Sequence, residues 1–197
     1  MTRLAVAATV SALFLAGCGS PADQTAAGNA AAPAVESKAA PAPGQAEPAA
    51  LARPQLVLDG EGLRLASGAS ATPIPFGTAR DAVVEAVGKS LGAPPSEQGR
   101  NEECGSGAQD YVGWKDGITL WFQDGGFVGW DSKGKLTSAD GVGLGTQRDR
   151  ITARELDVSE TSLGTEFSSG GIAGLFASGA PDAKVTALWA GATCIFR

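Results

Sequence analysis

The chain has 197 residues, with 15 lysines and arginines against 21 aspartates and glutamates, and it contains no histidine. An acidic balance with scattered charges excludes a nucleic-acid partner, which needs a cationic face to neutralise phosphates. The missing histidine removes the commonest general base, the Ser-His and Cys-His nucleophile pairs and histidine metal ligation together.

Arg3 is followed by an apolar run over residues 4–15, which closes on Leu15-Ala16-Gly17-Cys18. A basic start, about a dozen apolar residues and small residues before a cut describe an export signal, too short to span a bilayer stably. With a cysteine directly after the cut, the segment resembles the bacterial lipoprotein signal. The resemblance implies that residues 1–17 are removed, that Cys18 carries a diacylglyceryl thioether and that the new amine is acylated. Two or three acyl chains at about 0.8 kcal/mol per buried methylene amount to permanent attachment. Glycine rather than aspartate at position 19 further implies delivery to an outer membrane, facing the periplasm. The competing reading is an ordinary signal, or a short buried helix that ends in Cys18.

Residues 18–54 are dominated by alanine and carry Pro21, Pro33, Pro41, Pro43, Pro48 and Pro54. With almost no large apolar side chain to bury, ordering this stretch would cost backbone entropy without return, so a disordered Ala/Pro-rich tether is expected. As a coil it would span about 30 to 40 Å. The remainder of the chain, residues 55–197, is long enough for one globular domain with its own core.

That domain opens with Leu56-Val57-Leu58 and Leu63-Arg64-Leu65 on either side of Asp59-Gly60-Glu61-Gly62, a hairpin pattern. Gly77-Thr78-Ala79-Arg80-Asp81 then starts a helix, with Thr78 as the expected N-cap, Asp81 in the first turn and Val83, Val84, Val87 and Leu91 at helical spacing up to Gly92 and Pro94. Segments 111–115, 118–123 and 127–131, separated by Asp116-Gly117 and Asp124-Gly125-Gly126, predict a three-stranded meander with tight turns. The unit then recurs. Gly145-Thr146-Gln147-Arg148-Asp149 matches the first helix start and predicts a shorter helix over 148–156. Gly171-Ile172-Ala173-Gly174-Leu175-Phe176 matches Gly117-Ile118-Thr119-Leu120-Trp121-Phe122 in register, and a further strand is expected over 185–190. The expected fold is therefore α+β, two tandem helix-plus-antiparallel-meander units at about 74–131 and 142–197 forming one domain.

A start of the form Gly-Thr-x-x-Asp-x-Val, then Gly-x-Pro, then a meander, resembles the unit of the small lipoproteins of outer-membrane assembly. Tandem copies in an exported chain are similar to the beta-lactamase inhibitor proteins. The likeness rests on Gly77, Thr78, Asp81, Val83, Gly92 and Pro94, and on Gly145, Thr146 and Asp149. It implies a layered α+β fold that presents a sheet face to another protein, and it assigns no functional residue.

Once Cys18 is set aside, Cys104 and Cys194 remain, and an even pair in an exported domain is expected to form a disulfide. Closing a loop of that length is worth about 4 to 5 kcal/mol in the chain-entropy model. No metal, cofactor or nucleotide site is expected. Ser106 lacks the Gly-x-Ser-x-Gly elbow and reads as a turn residue. Glu102 and Glu103 point to opposite faces of an extended segment, and residues 131–140 lack the ligand spacing of a calcium loop. Gly141-Val142-Gly143-Leu144-Gly145-Thr146 invites a phosphate-loop reading, but it has no lysine and the matching place in the first unit holds Pro75.

The candidate binding residues are aromatic. Alternation puts Ile118, Leu120 and Phe122 on one face and Thr119, Trp121 and Gln123 on the other. Trp121, with Trp114 and Trp130 on neighbouring strands, would make an interface patch unless something covers that face. Three functions stay open. The first is a non-enzymatic envelope lipoprotein whose sheet face holds a protein or envelope component. The second is an enzyme using carboxylates or a Ser-Lys pair, and the third is a structural lipoprotein without a ligand.

Overall fold

The computed structural model describes residues 53–151 and 156–194. The signal-like segment 1–17, Cys18 and residues 19–52 of the expected tether lie outside the described residues. Among the described residues no helix is long and apolar enough to cross a membrane.

The domain is mainly β, which corrects the α+β expectation of two helix-plus-meander units. Strands β1 (Gln55–Asp59), β2 (Gly62–Ser67) and β3 (Ser70–Pro75) form a three-stranded antiparallel sheet, and the helix α1 (Arg80–Leu91) comes after it. Four strands come next: β4 (Glu97–Asn101), β5 (Gln109–Gly113), β6 (Ile118–Gln123) and β7 (Gly126–Ser132). The last four are β8 (Asp157–Thr161), β9 (Gly164–Ser169), β10 (Ile172–Phe176) and β11 (Val185–Gly191). These eight strands make one antiparallel sheet in the order β4-β5-β6-β7-β11-β10-β9-β8. Two sequential meanders thus meet at the β7–β11 seam, where Trp189 lies opposite Asp131 and Ala190 opposite Trp130.

The helix belongs to the first half alone. Around the second expected start, the amide of Gly145 donates to the Val185 carbonyl, that of Arg148 to Ala183 and that of Asp149 to Pro181. Backbone donors that a helix would leave free at its first turn are therefore spent on the segment leading into β11. Only a three-residue 3₁₀ turn, Arg148–Arg150, forms before Ile151 becomes extended. Residues 152–155 of the expected helix lie outside the described residues. In the first half, Ala79 rather than Thr78 precedes the helix, and the Thr78 hydroxyl donates to the Pro75 carbonyl at 2.7 Å instead of capping. Gly92 ends the helix in the left-handed region, φ 66°, as a glycine at that position readily does.

One face of the large sheet is buried. Val112, Ile118, Leu120, Phe122, Phe127, Trp130 and Leu188 pack with Val83 and Val87 of α1 and with Leu56, Leu58, Leu63 and Ile74 of the small sheet. The two layers are stitched by Trp130, whose Nε1–H donates to the Asp59 carbonyl at 3.0 Å. They also touch at Gly60, where a Cβ would stand 2.0 Å from the Gly170 carbonyl oxygen. The opposite face of the large sheet carries the site.

Candidate functional site

Strand β6 divides as its alternation predicts: Ile118, Leu120 and Phe122 are buried, while Thr119, Trp121 and Gln123 are half-buried on the face turned away from α1. Register then decides what surrounds Trp121. Tyr111 of β5 lies directly opposite it, with ring centroids 5.7 Å apart and planes at 49°. Tyr111 can lie flat across β4 because position 99 is glycine; a Cβ there would stand 2.8 Å from the tyrosine Oη. On the other side, Asp131 of β7 is diagonal to Trp121, and the indole Nε1–H donates to its Oδ2 at 2.6 Å. Trp189 of β11 completes the row, in register with Asp131. Together with Glu97 and Leu175 these residues line an open groove of about 620 Å³, within the size range of pockets that take small groups.

The electrostatics of the groove centre on Asp131. Burial pushes its carboxyl above the usual aspartate range; the Trp121 N–H and Lys133 pull it down, and the charge of Glu97 pushes it further up. A carboxylate that has lost part of its hydration and stands near a second carboxylate is a site of unspent negative charge.

Of the three expected tryptophans, only Trp121 stands on this face. Trp114 is 4% exposed and its Nε1–H donates to the Ala93 carbonyl at 3.1 Å, while Trp130 is fully buried against the small sheet. Both are core residues that position α1 and β1 rather than members of a patch. Tyr111, Asp131 and Trp189 are not recognisable as site residues from the sequence, because their alignment with Trp121 depends on strand register. A cue was present: a period of two brings Asp131 to the same face of β7 as Gly129, the partner of Trp121.

Cys104 and Cys194 form a disulfide, with Cα atoms 4.9 Å apart, that joins the β4–β5 loop to the exit of β11. Gln109 crosses the same junction, donating from Nε2 to Ser106 Oγ at 3.0 Å and to the Ala192 carbonyl at 3.4 Å. Ser106 is thus a loop residue held by Gln109. Cys18 lies outside the described residues. In the 141–146 loop, the amides of Gly141, Val142, Gly143, Gly145 and Thr146 all donate within the protein. Among the described residues no group of three or more potential acidic or thiol ligands is placed to hold a metal. No protein-family model, curated protein or solved structure matches the chain.

Proposed function

We propose that this protein is a lipid-anchored lipoprotein of a bacterial envelope, attached through Cys18 at the outer membrane, whose open sheet face holds a partner protein without catalysing a reaction. The observation that carries the binding half is the alignment of Tyr111, Trp121 and Trp189 along one uncovered groove. Aromatic side chains on a rigid sheet concentrate binding energy at low entropic cost. The anchoring half is supported by the Leu15-Ala16-Gly17-Cys18 motif.

Two measurements test the proposal. Metabolic labelling with palmitate should mark the protein and should fail for Cys18→Ala; equal labelling of the variant overturns the anchor. Site-specific photo-crosslinking from position 123 in intact cells should trap one discrete partner, lost in Trp121→Ala while the circular dichroism spectrum is kept. If the crosslink survives that substitution, the face is not the binding surface. A second reading, carboxylate-based chemistry, has one observation in its favour: the raised Asp131 with Glu97 in the same groove. It requires Asp131→Asn to abolish a turnover, whereas the binding reading requires it to change only affinity.

A further inference from the structure

We infer that the groove is a receptor for one cationic side chain of the partner, an arginine, seated on the carboxylates of Asp131 and Glu97 among the rings of Tyr111, Trp121 and Trp189. The inference rests on the binding reading above and gives the partner its chemistry.

The first argument is charge balance. Elsewhere on the domain, carboxylates have cationic partners close by: Asp59 with Arg64, Glu85 with Lys89, and both Glu102 and Asp110 with Arg100. Asp131 has no such ion pair among the described residues. Its side-chain hydrogen bond comes from the neutral indole N–H of Trp121, which uses one of about four acceptor positions on a carboxylate. Lys133, exposed at the groove edge, acts on Asp131 only through its field and makes no ion pair with it. Asp131 and Glu97 together outweigh it, so the groove keeps a net negative charge in a partly desolvated setting. A cation placed there satisfies both acids, and an anionic ligand would face both.

The second argument is the wall material. Aromatic faces attract cations through their quadrupole, best when the cation is within about 6 Å of the ring centroid and partly stripped of water. Three aromatic rings beside two carboxylates are what a guanidinium uses fully, since it stacks on a ring while its coplanar N–H groups engage a carboxylate in pairs. A neutral sugar would use the rings but leave Asp131 uncompensated. The groove, about 620 Å³, has room for the side chain and part of its flanking backbone.

The test uses the full-length acylated protein in detergent micelles, with the indole N–H resonance of Trp121 as reporter and acetyl-Gly-Arg-Gly-amide as probe. Citrulline, which keeps the shape and loses the charge, replaces arginine in the control peptide. A saturable shift is expected with the arginine probe at millimolar concentration, weakened about ten-fold or more by citrulline, by Asp131→Asn and by high salt. Asp131→Asn keeps an acceptor for Trp121, and an unchanged remainder of the spectrum shows that the fold is intact. Equal binding of the citrulline peptide, no shift with arginine, or full binding by Asp131→Asn each overturns the inference. A shift with a neutral oligosaccharide instead would assign the rings to sugar stacking and overturns it as well. Such failures leave the wider proposal standing if Trp121→Ala still abolishes the in-cell crosslink; loss of both results ends both.

Discussion

Removing the Cys104–Cys194 crosslink, as the double variant Cys104→Ala/Cys194→Ala, should cost several kilocalories while leaving the native sheet in place. The two cysteines are 90 residues apart in sequence. A crosslink closing a loop of that size removes about 15 cal/mol/K of chain entropy from the unfolded ensemble, or about 4.6 kcal/mol at 25 °C. For a domain whose whole stability is of order 5–15 kcal/mol, that is a large share. The folded state should nevertheless survive, because the β4–β5 loop is also held by Gln109 to Ala192 and by Gln123 Nε2 to the Ser106 carbonyl at 2.9 Å. Urea unfolding followed by tryptophan emission measures the effect, since Trp114 and Trp130 sit in the core. An m-value of about 2 kcal/mol/M turns the loss into a midpoint about 2 M lower, with a somewhat larger m because the untethered chain exposes more surface. A loss below about 1 kcal/mol with an unchanged m-value would show that the crosslink does not restrict the unfolded chain, and the reasoning would be refuted.

The packing leads to three further outcomes. Trp130→Phe strands the buried Asp59 carbonyl and should lower stability by about 1–2 kcal/mol, read from the same urea curves; no change would mean that the bond between layers is already satisfied by water. Gly60→Ala pushes a methyl into the Gly170 carbonyl and should cost about 1–3 kcal/mol, visible as a lower melting temperature, with an unshifted one contradicting the close approach. Asp131→Asn should raise the melting temperature at pH 7. The folded-state pKa of Asp131 lies above its ordinary value, so ionising it costs the native state, and stability present at low pH is lost as pH rises through that raised value. The advantage of the variant should therefore shrink on acidification, and a pH-independent gap would argue against a desolvated carboxylate.

Much of the first half was legible because its signals are local. The β1–β2 hairpin announces itself by leucines flanking Asp59-Gly60-Glu61-Gly62, the β5–β7 meander by its Asp-Gly turns, and α1 by Val83 and Val87. Strands β3, β4 and β8 were not legible, and for a shared reason. All three are sheet edges, mostly exposed, with charge in β4 and β8 and with Pro73 and Pro75 in β3. Edges are protected by such residues, which erases the alternation by which a strand is read. The second helix failed differently. Its start shares Gly, Thr, Arg and Asp with the first, but the amides there are claimed by the segment 181–185, far along the chain.

Local chemistry alone determined which side of β6 is greasy and which carries Trp121, because side chains alternate along any strand whatever its neighbours. It also supplied the only two cysteines of the domain, and their pairing was expected from an oxidising destination. Which aromatic and acidic residues keep company with Trp121 was decided by tertiary structure. The β7–β11 seam joins residues nearly sixty positions apart and sets Trp189 against Asp131, while α1 and the small sheet cover one face and leave the other open. Such long-range pairing is driven by burial summed over the whole domain, and no short window of residues contains that sum.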